Sequence, residues 1–172
     1  MKLAKVCEHR SHWPVRWVPA ENLHLTLIFL GNRDKEDIKK IKTSIKKTAQ
    51  NNFIFRIRLS YYGVFPSRKR PKLIWIRCRN NEDLEKVFDK LYLFLKDKKT
   101  DLVSFCHTYL PHVTMGRFRK RPHSSFVFTP SLPHRDLTYS FVADRITLFE
   151  SILGGEHSIY KPTFSAKLKT SP

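Results

Sequence analysis

The chain has 172 residues, with 33 Lys and Arg against 15 Asp and Glu, a formal net charge of +18, and a composition 41% hydrophobic and 13% aromatic. That length fits one domain or two small lobes sharing a core, and 13 Phe, 3 Trp and 6 Tyr supply enough apolar area to exclude a disordered chain in spite of the charge. Apolar runs such as Leu25–Leu30 fall far short of the roughly 20 residues that span a bilayer, and the N-terminus lacks the charged-then-apolar layout of a signal peptide, so membrane and secreted readings drop out.

In chain order, the first apolar alternation is Leu23-His24-Leu25-Thr26-Leu27, the pattern of a strand. Asp34 then opens a helix expected over 34–50, with Asp37 in an acidic capping position and Ile38, Ile41, Ile45 and Ala49 on one face. Phe53, Phe55, Ile57 and Leu59 alternate with Ile54, Arg56, Arg58 and Ser60 as a half-buried strand does. A basic loop, Pro66-Ser67-Arg68-Lys69-Arg70-Pro71, reads as a hairpin connection to a second strand at Leu73–Arg79. Leu84, Val87, Phe88, Leu91 and Leu95 trace the apolar stripe of a helix over 82–97. Further strands are expected at 112–118, 126–129 and 141–151, with a long surface loop from Arg119 to Arg135. Strand runs with one helix in each half predict an α+β protein with antiparallel sheets.

The three cysteines, Cys7, Cys78 and Cys106, are odd in number and form no C-x-x-C arrangement, so neither a disulfide framework nor a zinc site is expected, and the default compartment is the reducing cytoplasm. The charge points to a polyanionic partner, nucleic acid before others. A solvated lysine face such as Lys35 to Lys47 carries the same charge without any ligand, so charge alone does not decide.

Two segments repeat one pattern 88 residues apart: Leu23-His24-Leu25-Thr26-Leu27 and Pro111-His112-Val113-Thr114-Met115. In a strand, His24 and Thr26 share one face, as do His112 and Thr114, while their apolar neighbours take the other. Chance gives about 0.5 H-x-T triplets in a chain of this composition. One such triplet reads as well as a half-buried strand histidine bonded to its neighbour; two in matching apolar contexts favour chemistry. A neutral imidazole takes a proton from water and a protonated one gives a proton to a leaving oxygen, since an imidazole titrates near neutrality. Two threonine hydroxyls, with a cation, hold phosphate oxygens, so the pair suits opening of a strained cyclic phosphodiester. A metal site fits less well, because no H-x-x-x-H or carboxylate cluster accompanies either histidine.

The doubled motif, set within Trp17-Val18-Pro19-Ala20-Glu21-Asn22-Leu23-His24 and Pro111-His112-Val113-Thr114-Met115-Gly116-Arg117, resembles the two-histidine phosphoesterase superfamily and within it the RNA 2′,3′-cyclic phosphodiesterases, also called 2′-5′ RNA ligases. Gly63-Val64-Phe65-Pro66, Leu73-Ile74-Trp75-Ile76, Ile146-Thr147-Leu148-Phe149-Glu150-Ser151 and Tyr160-Lys161-Pro162 are also similar to that family, and the resemblance covers about residues 14–168 of a single two-lobed domain.

The resemblance implies two lobes whose antiparallel sheets face each other across a central cleft, with outer helices and one motif on each lobe. It implies hydrolysis of RNA 2′,3′-cyclic phosphate ends to 2′-phosphates without a metal or other cofactor, His24 being the proton donor, His112 the proton acceptor, and Thr26 and Thr114 the phosphate ligands. Arg117 matches a further phosphate-binding position, yet strict alternation turns it away from His112 and Thr114, so it needs a bulge or the strand end at Gly116 to reach the same face. The other histidines, His9, His12, His107, His123, His134 and His157, are read as surface or loop residues. Family members begin with an apolar strand and a longer helix, whereas Met1–His12 holds no convincing strand and Leu3–His9 at most a helix remnant; the N-terminal strand is therefore expected to be missing or shortened. The expected partner is RNA bearing a 2′,3′-cyclic phosphate, acted on by a monomer. The rival readings are 2′-5′ ligase or 2′-5′ phosphodiesterase activity and a non-catalytic RNA-binding module.

Overall fold

The computed structural model describes residues 14–97, 109–119, 139–154 and 157–170. The fold is α+β, with antiparallel sheets and, among the described residues, two α-helices, and the chain divides into two compact units, one from Met1–Leu25, Leu59–Cys78 and Leu110–Tyr139, the other from Thr26–Arg58, Arg79–Tyr109 and Ser140–Pro172.

The described strands of the first unit form a sheet. Its strands are β1 (Val15–Trp17), the C-terminal part of β2 (Phe55–Phe65), β3 (Leu73–Cys78) and β4 (His112–Phe118), hydrogen-bonded antiparallel in the order β1-β4-β3-β2. Ile74, Ile76 and Cys78 of β3, Val113 and Met115 of β4, and Val15 of β1 are buried and make one face apolar. Leu73, Trp75 and Arg77 alternate with them and stand half-buried on the other face, as the period of 2 requires. Cys78 has no exposed surface, and burial pushes its thiol up to about 12, so at neutral pH it stays protonated and inert. A maleimide should therefore leave Cys78 unmodified in the native protein and label it in urea, read by peptide mass spectrometry; rapid native labelling would contradict its burial.

The second unit carries both described α-helices. α1 (Lys35–Gln50) starts where Asp34 Oδ1 accepts the Asp37 N–H at 2.8 Å, a cap that contributes on the order of 1 kcal/mol. α2 (Glu82–Asp97) is capped by Asn81, whose Oδ1 accepts the Leu84 N–H at 2.9 Å while its Nδ2 donates to Arg56 O at 2.9 Å. The expected stripes become the core of this unit: Ile41, Ile45 and Ala49 of α1 meet Val87, Leu91 and Leu95 of α2, with Ile146 and Leu168. β5 (Ser140–Ala143) pairs with Phe55–Arg58 of β2, and β6 (Arg145–Gly154) pairs with β7 (His157–Lys167).

Four expectations are corrected by these elements. The strand anticipated over 141–151 is two strands, separated at Asp144, which holds the Arg145 guanidinium at 2.7 Å and accepts the Leu168 N–H on its carbonyl. β7 went unanticipated because Lys161-Pro162 breaks the alternation; the structure accommodates Pro162 opposite Phe149, where the β6–β7 register shifts. β2 runs on to Phe65 rather than stopping near Ser60. The segment around His24 is no regular strand, and only Leu25 forms a β-bridge. The expected strand at 126–129, the loop beyond Arg119 and the Leu3–His9 segment lie outside the described residues, as do Cys7 and Cys106.

Candidate active site

His112 opens β4 directly after Pro111. A proline fixes its own φ and drives the preceding residue extended, and in this setting His112 Nδ1–H donates to the Leu110 carbonyl two residues back at 2.8 Å. His24 follows the single-turn 3-10 helix Ala20–Asn22, and its Nδ1–H donates to the Asn22 carbonyl, again two residues back, at 2.7 Å. A carbonyl only accepts, so in both rings Nδ1 carries the hydrogen and the exchangeable proton belongs to Nε2. The two histidines thus share a tether as well as a motif.

An antiparallel bridge between Leu25 and Val113 lays the two motifs side by side within the first unit. Val113 is on the buried face. The residues flanking a bridged pair point to the opposite side, so the register sets His24 level with Thr114 on the face that carries His112. Diagonal neighbours in such a pairing stand about 7–8 Å apart, enough for a phosphate with an imidazole on either side. Both histidines belong to the first unit, and the division falls within the first motif, between Leu25 and Thr26, which begins the second unit.

Arg117 reaches the same face through a bulge. β3 and β4 pair Arg77 with His112 and Trp75 with Thr114, then Ile74 with Gly116 and Leu73 with Arg117, which leaves Met115 as one extra residue on β4. Met115 and Gly116 are consequently both buried, and Arg117, opposite Leu73, returns to the side of Thr114 and His112. Gly116 suits the spot because a Cβ there would come within 2.7 Å of Val15 Cγ1 on the adjacent strand.

Trp75 walls the histidine. Its indole meets the His112 ring edge-on, with centroids 5.8 Å apart and planes at 65°, and it lies over Gly63, where a Cβ would stand 2.5 Å from Trp75 Cζ2. Replacing Gly63 by alanine must push the indole aside. The expected result is a fall in kcat of about tenfold with an unchanged far-UV spectrum, because a shift near 1 Å in supporting groups costs up to about 10²-fold; unaltered kinetics would show that Trp75 does not position His112.

Among the described residues no group of three or more His, Cys, Asp or Glu comes together as metal ligands, and no described helix is long and apolar enough to cross a membrane.

Comparison with known proteins decides the family. The model of the 2′-5′ RNA ligase superfamily matches residues 4–154. The chain belongs to that superfamily. Relatives named RNA 2′,3′-cyclic phosphodiesterase include one from Thermotoga maritima, 26% identical over 89% of this chain and 79% of its own length, and one from Methanocaldococcus jannaschii, 29% identical over 93% and 88%. Two crystal structures share the fold: one from Thermus thermophilus, TM-score 0.82 at 20% identity, covering 99% of this chain and 91% of its own, and E. coli LigT complexed with 3′-AMP, TM-score 0.76 at 22% identity, covering 96% and 88%.

In this 2′-5′ RNA ligase superfamily member the structure brings together His24, His112, Thr114 and Arg117 in the first unit, with Thr26 next along the chain. It also adds residues to which the sequence assigned no role. Arg77 stands opposite His112 and donates from Nη1 to the Tyr61 hydroxyl at 3.0 Å, and Tyr61 lies 6.1 Å from Trp75, centroid to centroid. The available signal was the strand Leu73-Ile74-Trp75-Ile76-Arg77-Cys78, whose face away from the core sets a tryptophan and an arginine in one row. His157 lies in β7, within the second unit; the other five histidines set aside above lie outside the described residues.

Proposed function

We propose that the protein hydrolyses RNA 2′,3′-cyclic phosphate ends to 2′-phosphates, with His24 and His112 as a metal-independent acid–base pair. The observation that carries this reading is the matched tether: each imidazole gives its Nδ1–H to the carbonyl two residues back, so each works through Nε2. Neutral His112 takes a proton from water at Nε2 as the water oxygen attacks phosphorus. The P–O3′ bond breaks, and protonated His24 delivers its Nε2 proton to O3′, leaving a 3′-hydroxyl and a 2′-phosphate. Thr26, Thr114 and Arg117 hold the non-bridging oxygens as charge develops on them. The relatives named for this activity support the substrate assignment. Proton exchange with solvent resets both rings, so no cofactor is consumed.

The superfamily description favours one further reading, 2′-5′ ligation. It uses the same two protons, with a 5′-hydroxyl oxygen in place of water. Product analysis separates the two: a 2′-phosphate end signifies hydrolysis and a lengthened chain signifies ligation. The working form in this proposal is a cytoplasmic monomer, a setting consistent with three cysteines in no disulfide pattern, and size-exclusion chromatography with light scattering checks its mass. Hydrolysis in the presence of EDTA, with a bell-shaped pH profile, is the expected result; activity restored only by added metal would overturn the metal-independent pair.

A further inference from the structure

Among the described residues, the unit that holds the candidate active site is almost free of acids. In the first unit the described residues include eight Lys and Arg (Arg16, Arg68, Lys69, Arg70, Lys72, Arg77, Arg117 and Arg119) and a single acid, Glu21. The sheet arranges part of this charge in rows. His112 and Arg77 form the first row, Thr114, Trp75 and Gly63 the second, and Arg16, Arg117, Leu73 and Phe65 the third. Successive rows step by about 7 Å along the strands. Beyond the third row the chain turns through the exposed hairpin loop that carries Arg68, Lys69 and Arg70.

Two features of the third row have no use in a sheet that serves only for folding. Arg16 and Arg117 are direct cross-strand partners, and like charges opposite each other destabilise a strand pair. No described acid forms an ion pair with either. Phe65, at the other end of the row with Leu73 between it and Arg117, is 58% exposed, an aromatic ring left in water where β2 leads into the basic hairpin loop. Exposed aromatics interleaved with basic groups fit the alternation of base and phosphate in a single strand.

We propose that this row and the β2–β3 hairpin form a track for the RNA strand leading into the site: Phe65 stacks a base upstream of the cyclic phosphate, and Arg16 with Arg68, Lys69 and Arg70 takes the preceding phosphates. The inference rests on the catalytic reading above and adds a substrate class to it, oligonucleotide ends in preference to mononucleotides. An acidic protein segment has the charge to follow the hairpin but offers no planar bases to Phe65.

The test compares 2′,3′-cyclic-phosphate-ended substrates of one to six nucleotides with the wild-type protein, a triple Arg68→Ala, Lys69→Ala, Arg70→Ala variant, and Phe65→Ala. The wild type is expected to gain at least about tenfold in kcat/KM between one and four nucleotides, since each stacked base and each neutralised phosphate adds binding. The triple variant should keep the mononucleotide rate, lose most of the gain, and flatten the slope of log affinity against log salt by about 2, near 0.7 for each lost phosphate contact on a single strand. Phe65→Ala should lose part of the gain with no change in that slope. A wild type indifferent to length, a triple variant with the full gain, or equal losses on one and four nucleotides would overturn the track. So would polyglutamate competing as well as RNA of equal charge. If no substrate of any length is turned over, the catalytic reading fails instead, and binding of labelled 2′-phosphate-ended oligonucleotides to the same proteins still decides the track.

Discussion

His112→Ala and His24→Ala should each lower kcat on a 2′,3′-cyclic nucleotide by about 10²–10⁴-fold, the range that a positioned general acid or base contributes. In each imidazole Nδ1 makes a short bond to a local carbonyl, and alanine removes the proton carrier while leaving the backbone that makes the bridge between Leu25 and Val113. Both rings are half-buried at the surface rather than packed in the core, so melting temperatures should move little. The two variants should differ in their pH profiles. Loss of His112, the proposed base, should remove the dependence on a deprotonated group at the acid side of the bell, and loss of His24, the proposed acid, the dependence on a protonated group at the alkaline side. The double variant should be scarcely worse than the poorer single one, because groups acting in one step are not additive. Either single variant retaining full turnover would remove that histidine from the chemistry.

The second large effect is expected at Arg117. Its guanidinium is exposed on the same sheet face as His112 and Thr114, carried there by the extra residue at Met115. A hydrogen bond to a charged partner contributes about 1.5–3 kcal/mol, so Arg117→Ala should reduce kcat/KM by roughly 10–150-fold. Arg117→Lys should recover only part of this, since an ammonium supplies a point charge without the planar fork that grips two phosphate oxygens. Deletion of Met115 should leave Arg117 in place, since Gly116 stays opposite Ile74 and Arg117 opposite Leu73 on the site face, and its expected cost is in stability, through loss of the buried Met115 side chain. If Arg117→Ala matches the wild type in both kcat and KM, the arginine does not touch the reacting phosphate.

Helix stripes were legible to within a residue at either end because 3.6-residue periodicity is local: Ile41, Ile45 and Ala49, and Leu84, Val87, Leu91 and Leu95, mark one face without knowledge of what covers it. The strand carrying His112 and Thr114 was legible because period 2 is equally local, whereas around His24 the same alternation does not make a strand and only Leu25 forms a bridge. What escaped were features set by a second strand. The Met115 bulge exists only relative to β3, so the sequence posed Arg117 as a conflict that the register resolves. Trp75 and Arg77 gain their place beside His112 through cross-strand pairing, and Gly63 its importance through the indole above it. The tethers from Nδ1 depend on the turn after Pro19 and on Pro111, whose effects on a side chain two residues away no periodicity records. β7 was lost to Pro162, a residue that ordinarily argues against a strand and is tolerated at a register shift.

The most direct test is a single-turnover reaction on a short RNA ending in a 2′,3′-cyclic phosphate, run in EDTA with wild type, His24→Ala and His112→Ala, the 2′- and 3′-phosphate products being resolved. Two histidines working through Nε2 predict a 2′-phosphate product from the wild type, undiminished by chelator, and losses of at least about 10²-fold in both variants. A 3′-phosphate product, abolition by EDTA, or tight salt-sensitive RNA binding with no turnover would contradict it.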